Sequence, residues 1–171
     1  MLKLFPLFLA FCINVLNAND FIDASKAFKL DARILWAIAY KESRHTSNII
    51  SKPNKNGTYD IGIMQINSMH LKRLEKEYGI SQKDLLQKPR VNIFVGAMIL
   101  RKCFDLYGVT EKGITCYNGL KQGNPYGKDI LKIIENKDKE HRKKQINKSL
   151  NTYFLLEQKQ DFIKVINYEN N

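Results

Sequence analysis

Helix start and stop signals follow one another along this chain with almost no strand pattern between them, and that succession limits the folds open to it. Asp31 is placed to cap a helix over 32–43, because its carboxylate can accept from the N–H groups of a first turn. Asn67 or Ser68 can open a second helix carrying Leu71, Leu74 and Tyr78 and closed by Gly79. Ser81 and Asp84 form a short capping-box pattern ahead of Leu85 and Leu86, with Pro89 ending the turn. Asn92 opens the longest apolar-periodic stretch, from Ile93 and Phe94 to Phe104, before a stop at Gly108; its face with Gly96 and Ala97 admits a close neighbour. Thr110 can cap a shorter helix reaching Cys116 and Tyr117, and Asn124-Pro125 is an N-cap followed by proline at the first helical position. About six or seven helices result, so the fold class is all-α. Only 46–60 breaks the pattern, with Ser, Asn, Lys, Pro53 and Gly57, and a loop or small β-hairpin is expected around 52–62.

Within the helix that Asp31 caps, Glu42 continues the apolar stripe of Leu35 and Ile38. A carboxyl group therefore points where the core should be. Lost hydration favours its protonated form, and the negative end of the helix dipole acts in the same direction. Both effects raise the expected pKa, which suits a general acid that must hold a proton near neutral pH and give it to a leaving oxygen.

The 171 residues, 44% hydrophobic and 26% charged, supply one domain with a sizeable core. The start differs in kind. Lys3 precedes a nearly continuous apolar run from Leu4 to Leu16, and Ala18 supplies a small residue for cleavage, so 1–18 reads as a secretory signal peptide. The large Leu16 leaves an uncleaved anchor as the alternative. Phe11 before Cys12 is a poor fit to lipoprotein processing, and no lipid anchor is expected. Cleavage leaves Cys103 and Cys116, which either pair as a disulfide or stay as two buried thiols.

A formal net charge of +11 draws the folded chain to anionic surfaces. No nucleic-acid motif accompanies the lysines, and a signal peptide sends the chain away from DNA, so a carboxylate-bearing wall polymer fits better than nucleic acid. No repeat and no metal-ligand spacing appears; His45, His70 and His141 are scattered, and neither metal nor cofactor is expected. From Lys137 to Lys148 the sequence is a charge run, read as a solvated helix face or a linker, followed by an amphipathic tail. The organisation expected is a signal peptide over 1–18, a folded domain over 19–135 and a basic extension over 136–171.

Seventeen residues beyond Glu42, the segment from Tyr59 to Ser68 alternates polar and apolar side chains around Gly62. Such a segment can anchor itself by Ile61, Ile63 and Ile66 while Gln65 and Asn67 hydrogen-bond sugar hydroxyls or acetamido groups. Spacing alone fits a structural turn equally.

Glu42-Ser43, Gly62-Ile63-Met64-Gln65-Ile66-Asn67, Asn92-Ile93 with Gly96-Ala97 and Leu100, Cys116-Tyr117-Asn118-Gly119 and Tyr126-Gly127-Lys128-Asp129-Ile130-Leu131 stand in one order. That order resembles the family-1 soluble lytic transglycosylase domain, over about 20–134, and most of all the small periplasmic members that accompany type III and type IV secretion systems and pili. The resemblance implies a lysozyme-like helical domain that cleaves the β-1,4 bond between N-acetylmuramic acid and N-acetylglucosamine in peptidoglycan, acting as a monomer. Glu42 would protonate the bridging oxygen and then take the proton of the sugar's C6 hydroxyl as a 1,6-anhydro ring closes. Ser43, Met64, Gln65, Asn67, Tyr117, Asn118 and Tyr126 would surround it, with Tyr117 hydrogen-bonded to Glu42; core packing is the plain alternative for Tyr117. A secretion or pilus component is the implied protein partner.

One stretch departs from the family pattern. Asn67-Ser68 replaces a methionine-proline pair, and Asp60 stands where a small residue is usual, so 60–68 looks like the corresponding segment of chicken-type lysozymes. If Asp60 stood about 5 Å from Glu42, the pair could run as a retaining hydrolase with Asp60 as nucleophile or as stabiliser of the oxocarbenium charge. The plain alternative is that Asp60 braces the loop through its own backbone.

Overall fold

The computed structural model describes residues 18–169; the predicted signal peptide lies outside them except for Ala18. Seven α-helices and one short strand pair are found among the described residues: α1 (Ala18–Phe28), α2 (Ala32–Ser43), β1 (Asp60–Ile61), β2 (Ile66–Asn67), α3 (Leu71–Tyr78), α4 (Gln82–Gln87), α5 (Pro89–Tyr107), α6 (Glu111–Tyr117) and α7 (Tyr126–Glu169), with a 3-10 turn at Ser68–His70. The chain divides into two compact units, one ending at Arg101 and the other beginning at Lys102.

The first unit is built on local signals that behave as chemistry dictates. Asp31 accepts from Arg33 N at 2.8 Å and starts α2. Asn67 accepts from Met69 N at 3.0 Å to open the 3-10 turn, and Gly79, left-handed at φ +65°, closes α3. Ser81 and Asp84 complete their reciprocal box at α4. Leu35, Ile38, Ile61, Ile63, Met64, Leu74, Leu85, Ile93 and Leu100 are all fully buried, each aliphatic one contributing about 1.5–3 kcal/mol. At the surface, the Arg90 guanidinium reaches Asp20 and Asp23 at 2.7 Å each and fastens α1 to the start of α5.

Three expectations shift. α1 was not foreshadowed by a cap; Phe21, Ala24 and Phe28 carry its helical spacing, and the first two are buried. Pro89 does not merely end α4: it opens α5, where a missing N–H is harmless because no helical partner awaits it. Asn92 therefore sits inside the first turn of α5 rather than opening it. The strand pair lies at 60–67, later than the 52–62 region expected, with Asp60 opposite Asn67 and Ile61 opposite Ile66. Ile50 adds an isolated bridge to Ile61, so the preceding loop is stitched to the ladder's edge.

In the second unit Thr110 caps α6 by accepting from Gly113 N at 3.1 Å. Cys103 and Cys116 are joined, S–S 2.03 Å, tying the end of α5 to α6. At Gly127 an added Cβ would stand 2.4 Å from Glu111 O, so glycine permits the close crossing of α6 and α7. Asn124 accepts from Tyr126 N at 3.1 Å and starts α7, which then runs 44 residues to Glu169. The charge run from Lys137 is thus helix rather than linker.

Candidate active site

Glu42 lies in the last turn of α2 and is half-buried. Arg44 ends that helix in the left-handed region (φ +53°), its N–H turned back to the Tyr40 carbonyl while His45 N–H reaches that of Ala39. Beside Glu42, the buried Ser43 hydroxyl donates to Ile63 O at 2.8 Å and makes a longer contact with Ala39 O at 3.2 Å. The first of these bonds spans 20 residues of sequence and fastens the turn between β1 and β2 to the helix end that carries Glu42.

Asn92 holds the other side of that turn. Its Oδ1 accepts from Met64 N at 2.8 Å, and its Nδ2 donates to Ile61 O at 2.8 Å and Leu85 O at 2.9 Å, all in a fully buried setting. Three backbone groups, one each in β1, in the turn that follows it and in α4, are satisfied by one side chain. Gly62 is required for two reasons: φ is +72°, and an added Cβ would meet Asn92 Nδ2 at 2.2 Å. Gly96 makes room for Met64, whose Cε would stand 2.8 Å from a Cβ there.

Gln65 completes the turn in a left-handed conformation, φ +49°, that a residue with a Cβ adopts at a strain of about 1–2 kcal/mol. Its Nε2 donates to Gly62 O at 2.7 Å, which fixes the side chain over its own turn. The amide oxygen of Gln65 has no hydrogen-bond partner among the described residues. That half-buried acceptor, held rigidly on the turn that Ser43 fastens to the end of α2, is a polar group available to a ligand.

Other predicted residues are placed differently. Met64 is fully buried against Gly96, so its side chain is core and not groove wall. Asn67 spends both amide donors inside the hairpin, on Asp60 Oδ1 at 2.7 Å and Thr58 Oγ1 at 3.1 Å, while its oxygen caps the 3-10 turn. The Asp60 carboxylate takes that bond and a weak one from Asn54 Nδ2 at 3.4 Å, and Asp60 N donates to Ser51 Oγ at 2.9 Å. Asp60 thus bonds within its own loop through both its carboxylate and its N–H.

In the second unit, Tyr117 ends α6 half-buried and Asn118 caps it, exposed. Asn124 Nδ2 donates to Gly119 O at 2.9 Å and Asn118 Oδ1 at 3.3 Å, linking that turn to the start of α7. Tyr126 is only 3% exposed and packs inward. Asn92 is the residue whose organising role the sequence reading missed, whereas Asn124 starts α7 as its N-cap pattern predicts. For Asn92 the signal was present, an amide inside the apolar run Val91-Asn92-Ile93 with Pro89 three residues earlier to start the helix.

The sequence profile of the transglycosylase SLT domain matches residues 19–148. The chain is 39% identical over 132 residues to invasion protein IagB of Salmonella typhimurium, covering 77% of this chain and 80% of that one. It is 31% identical over 130 residues to protein IpgF of Shigella flexneri, with 72% and 84% covered. Among solved structures, an inactive mutant of lytic transglycosylase Slt from Pseudomonas aeruginosa shares the fold at TM-score 0.55 and 18% identity, covering 71% of this chain and 24% of that one. The chain belongs to the transglycosylase SLT domain family. Its activity class, by that membership, is that of a peptidoglycan lytic transglycosylase.

Proposed function

We propose that this enzyme cleaves the β-1,4 bond between N-acetylmuramic acid and N-acetylglucosamine with Glu42 as its single acid and base. Glu42 gives its proton to the bridging oxygen as the C1–O bond breaks through an oxocarbenium-like transition state. The emptied carboxylate then takes the proton of the C6 hydroxyl of the same muramic acid residue, and that oxygen bonds to C1. A 1,6-anhydro ring closes, the proton lost by Glu42 is recovered, and no water enters.

The observation that carries this reading is the Ser43 Oγ bond to Ile63 O, which holds a ligand-facing turn against the helix end bearing Glu42. Gln65 is the group proposed to bind the sugar from that turn, its oxygen accepting from a hydroxyl or acetamido N–H. Ser43 acts on position, and Asp60 steadies the loop.

The compartment proposed is the periplasm, reached by the signal peptide at 1–18. The similarity to an invasion protein supports a role in opening the wall locally for a secretion machine, and residues 136–171 are proposed as an extension outside the catalytic domain. Glu42→Gln removes the proton while keeping the shape. Digestion of purified sacculi by that variant is expected to fall about 10²–10⁴-fold with its unfolding midpoint unchanged, and retention of wild-type activity would reject Glu42 as the acid.

A further inference from the structure

Beyond Ile130, which is fully buried, α7 loses its cover. From Lys139 onward every described side chain is exposed, yet the helix continues to Glu169. Four of these exposed side chains are large and apolar; Leu155, at 68%, lies off to the other side, and the remaining three are Ile146 at 59%, Leu150 at 48% and Tyr153 at 59%. Separations of four and three residues put them on one stripe of the helix. Arg142 and Lys143 flank the stripe at its N-terminal end, Lys144 and Lys148 lie around the far side, and no carboxylate occurs from His141 to Leu156.

What covers such a stripe is decided by its two features together. A second copy fits badly, because continuing the spacing toward the N-terminus brings Lys143 and Lys139 into the seam, and three apolar positions fall short of a coiled coil. A wall glycan offers carboxylates to the cations but no apolar interior to the stripe. The centre of a protein interface excludes charge, whereas here cations border the apolar residues directly. An anionic bilayer surface answers both: the acyl boundary takes Ile146 and Leu150, the headgroup level suits the Tyr153 ring, and the cations reach lipid phosphates on their aliphatic stems. No helix among the described residues is long and apolar enough to cross a membrane, so the contact is a surface one.

We propose that residues 141–153 of α7 form a surface-lying anchor for a membrane of anionic phospholipid. The inference goes beyond the catalytic reading and leans on it only for the envelope location where such a membrane is met. It would hold the enzyme at a membrane face while the catalytic unit works on the wall.

The test compares the full chain with its Ile146→Ser/Leu150→Ser variant, so that residues 1–17 are common to both. Hydrogen exchange over 141–153 is followed with vesicles of equal phosphatidylglycerol and phosphatidylcholine, with phosphatidylcholine alone, and with no vesicles. Slowed exchange on the anionic vesicles only, reversed by salt, is expected. The serine pair should weaken that binding at least about tenfold, and Arg142→Gln or Lys143→Gln about fivefold each. Equal protection on neutral vesicles, no protection on anionic ones, no change with the serine pair, or protection that rises with protein concentration alone would each overturn the proposal. Sacculus digestion by the serine pair is expected at the wild-type rate, which keeps the lipid contact separate from the role of Glu42.

Discussion

Asn92 shows how much a single side chain can organise through partners that lie far away in the sequence. The helix caps at Asp31, Ser81 and Thr110 bond N–H groups two or three residues away, and that is why the sequence reveals them. Asn92 bonds across 28 and 31 residues, to Met64 N and Ile61 O, a partnership that exists only after the chain has folded. Glu42, Ser43 and Gln65 were legible as polar residues in the right order, but the commitment of Asn67 to Asp60 and the burial of Met64 depend on strand register and on the space at Gly96. Removing the amide in Asn92→Leu strands three buried polar groups, at about 1–3 kcal/mol each before relaxation. The expected outcome is a loss of about 3–5 kcal/mol in urea unfolding, with any residual folded enzyme losing activity as well. Ser43→Ala is milder, about 1–2 kcal/mol, and its effect should fall more on kcat than on KM because it loosens the turn beside Glu42.

The elements depend on their ends and their crossings. The Lys88 ammonium, followed by the Ser81 hydroxyl and N–H, holds the Asp84 carboxyl well below the usual carboxylate range. A depressed folded value means that the stabilisation is fully present above the ordinary carboxyl pKa and is lost as pH falls through the folded one. Asp84→Asn should therefore narrow the gap to wild type as the solution is acidified, a trend readable in unfolding midpoints against pH. At the other end of the chain, the Cys103–Cys116 bond closes a separation of 13 residues. Replacing both cysteines by serine is expected to cost about 3 kcal/mol, seen as a lower melting temperature of the variant relative to the oxidised wild-type protein. α1 escaped the sequence reading because its spacing of Phe21, Ala24 and Phe28 follows directly on an apolar leader. α7 exceeded it because 128–169 contains neither glycine nor proline to stop a helix.

At the scale of the whole molecule, charge governs how the enzyme meets its substrate. With a net charge of +11 it should associate with the carboxylates of wall peptides through a field that salt screens. KM for sacculi is expected to rise with ionic strength while kcat holds, and a parallel fall of both would place the cations in the chemistry instead. All-α class and the order of the motifs were readable because periodicity and caps are properties of neighbouring residues. The strand pair was misplaced by several residues because its position follows from long-range partners. Whether the family's chemistry runs here through ring closure is decided by the origin of the new oxygen at C1. Digesting sacculi in water enriched in heavy oxygen and weighing the released muropeptides tests this directly. The account predicts anhydro ends with no label; labelled reducing ends from the same wild-type enzyme would contradict it.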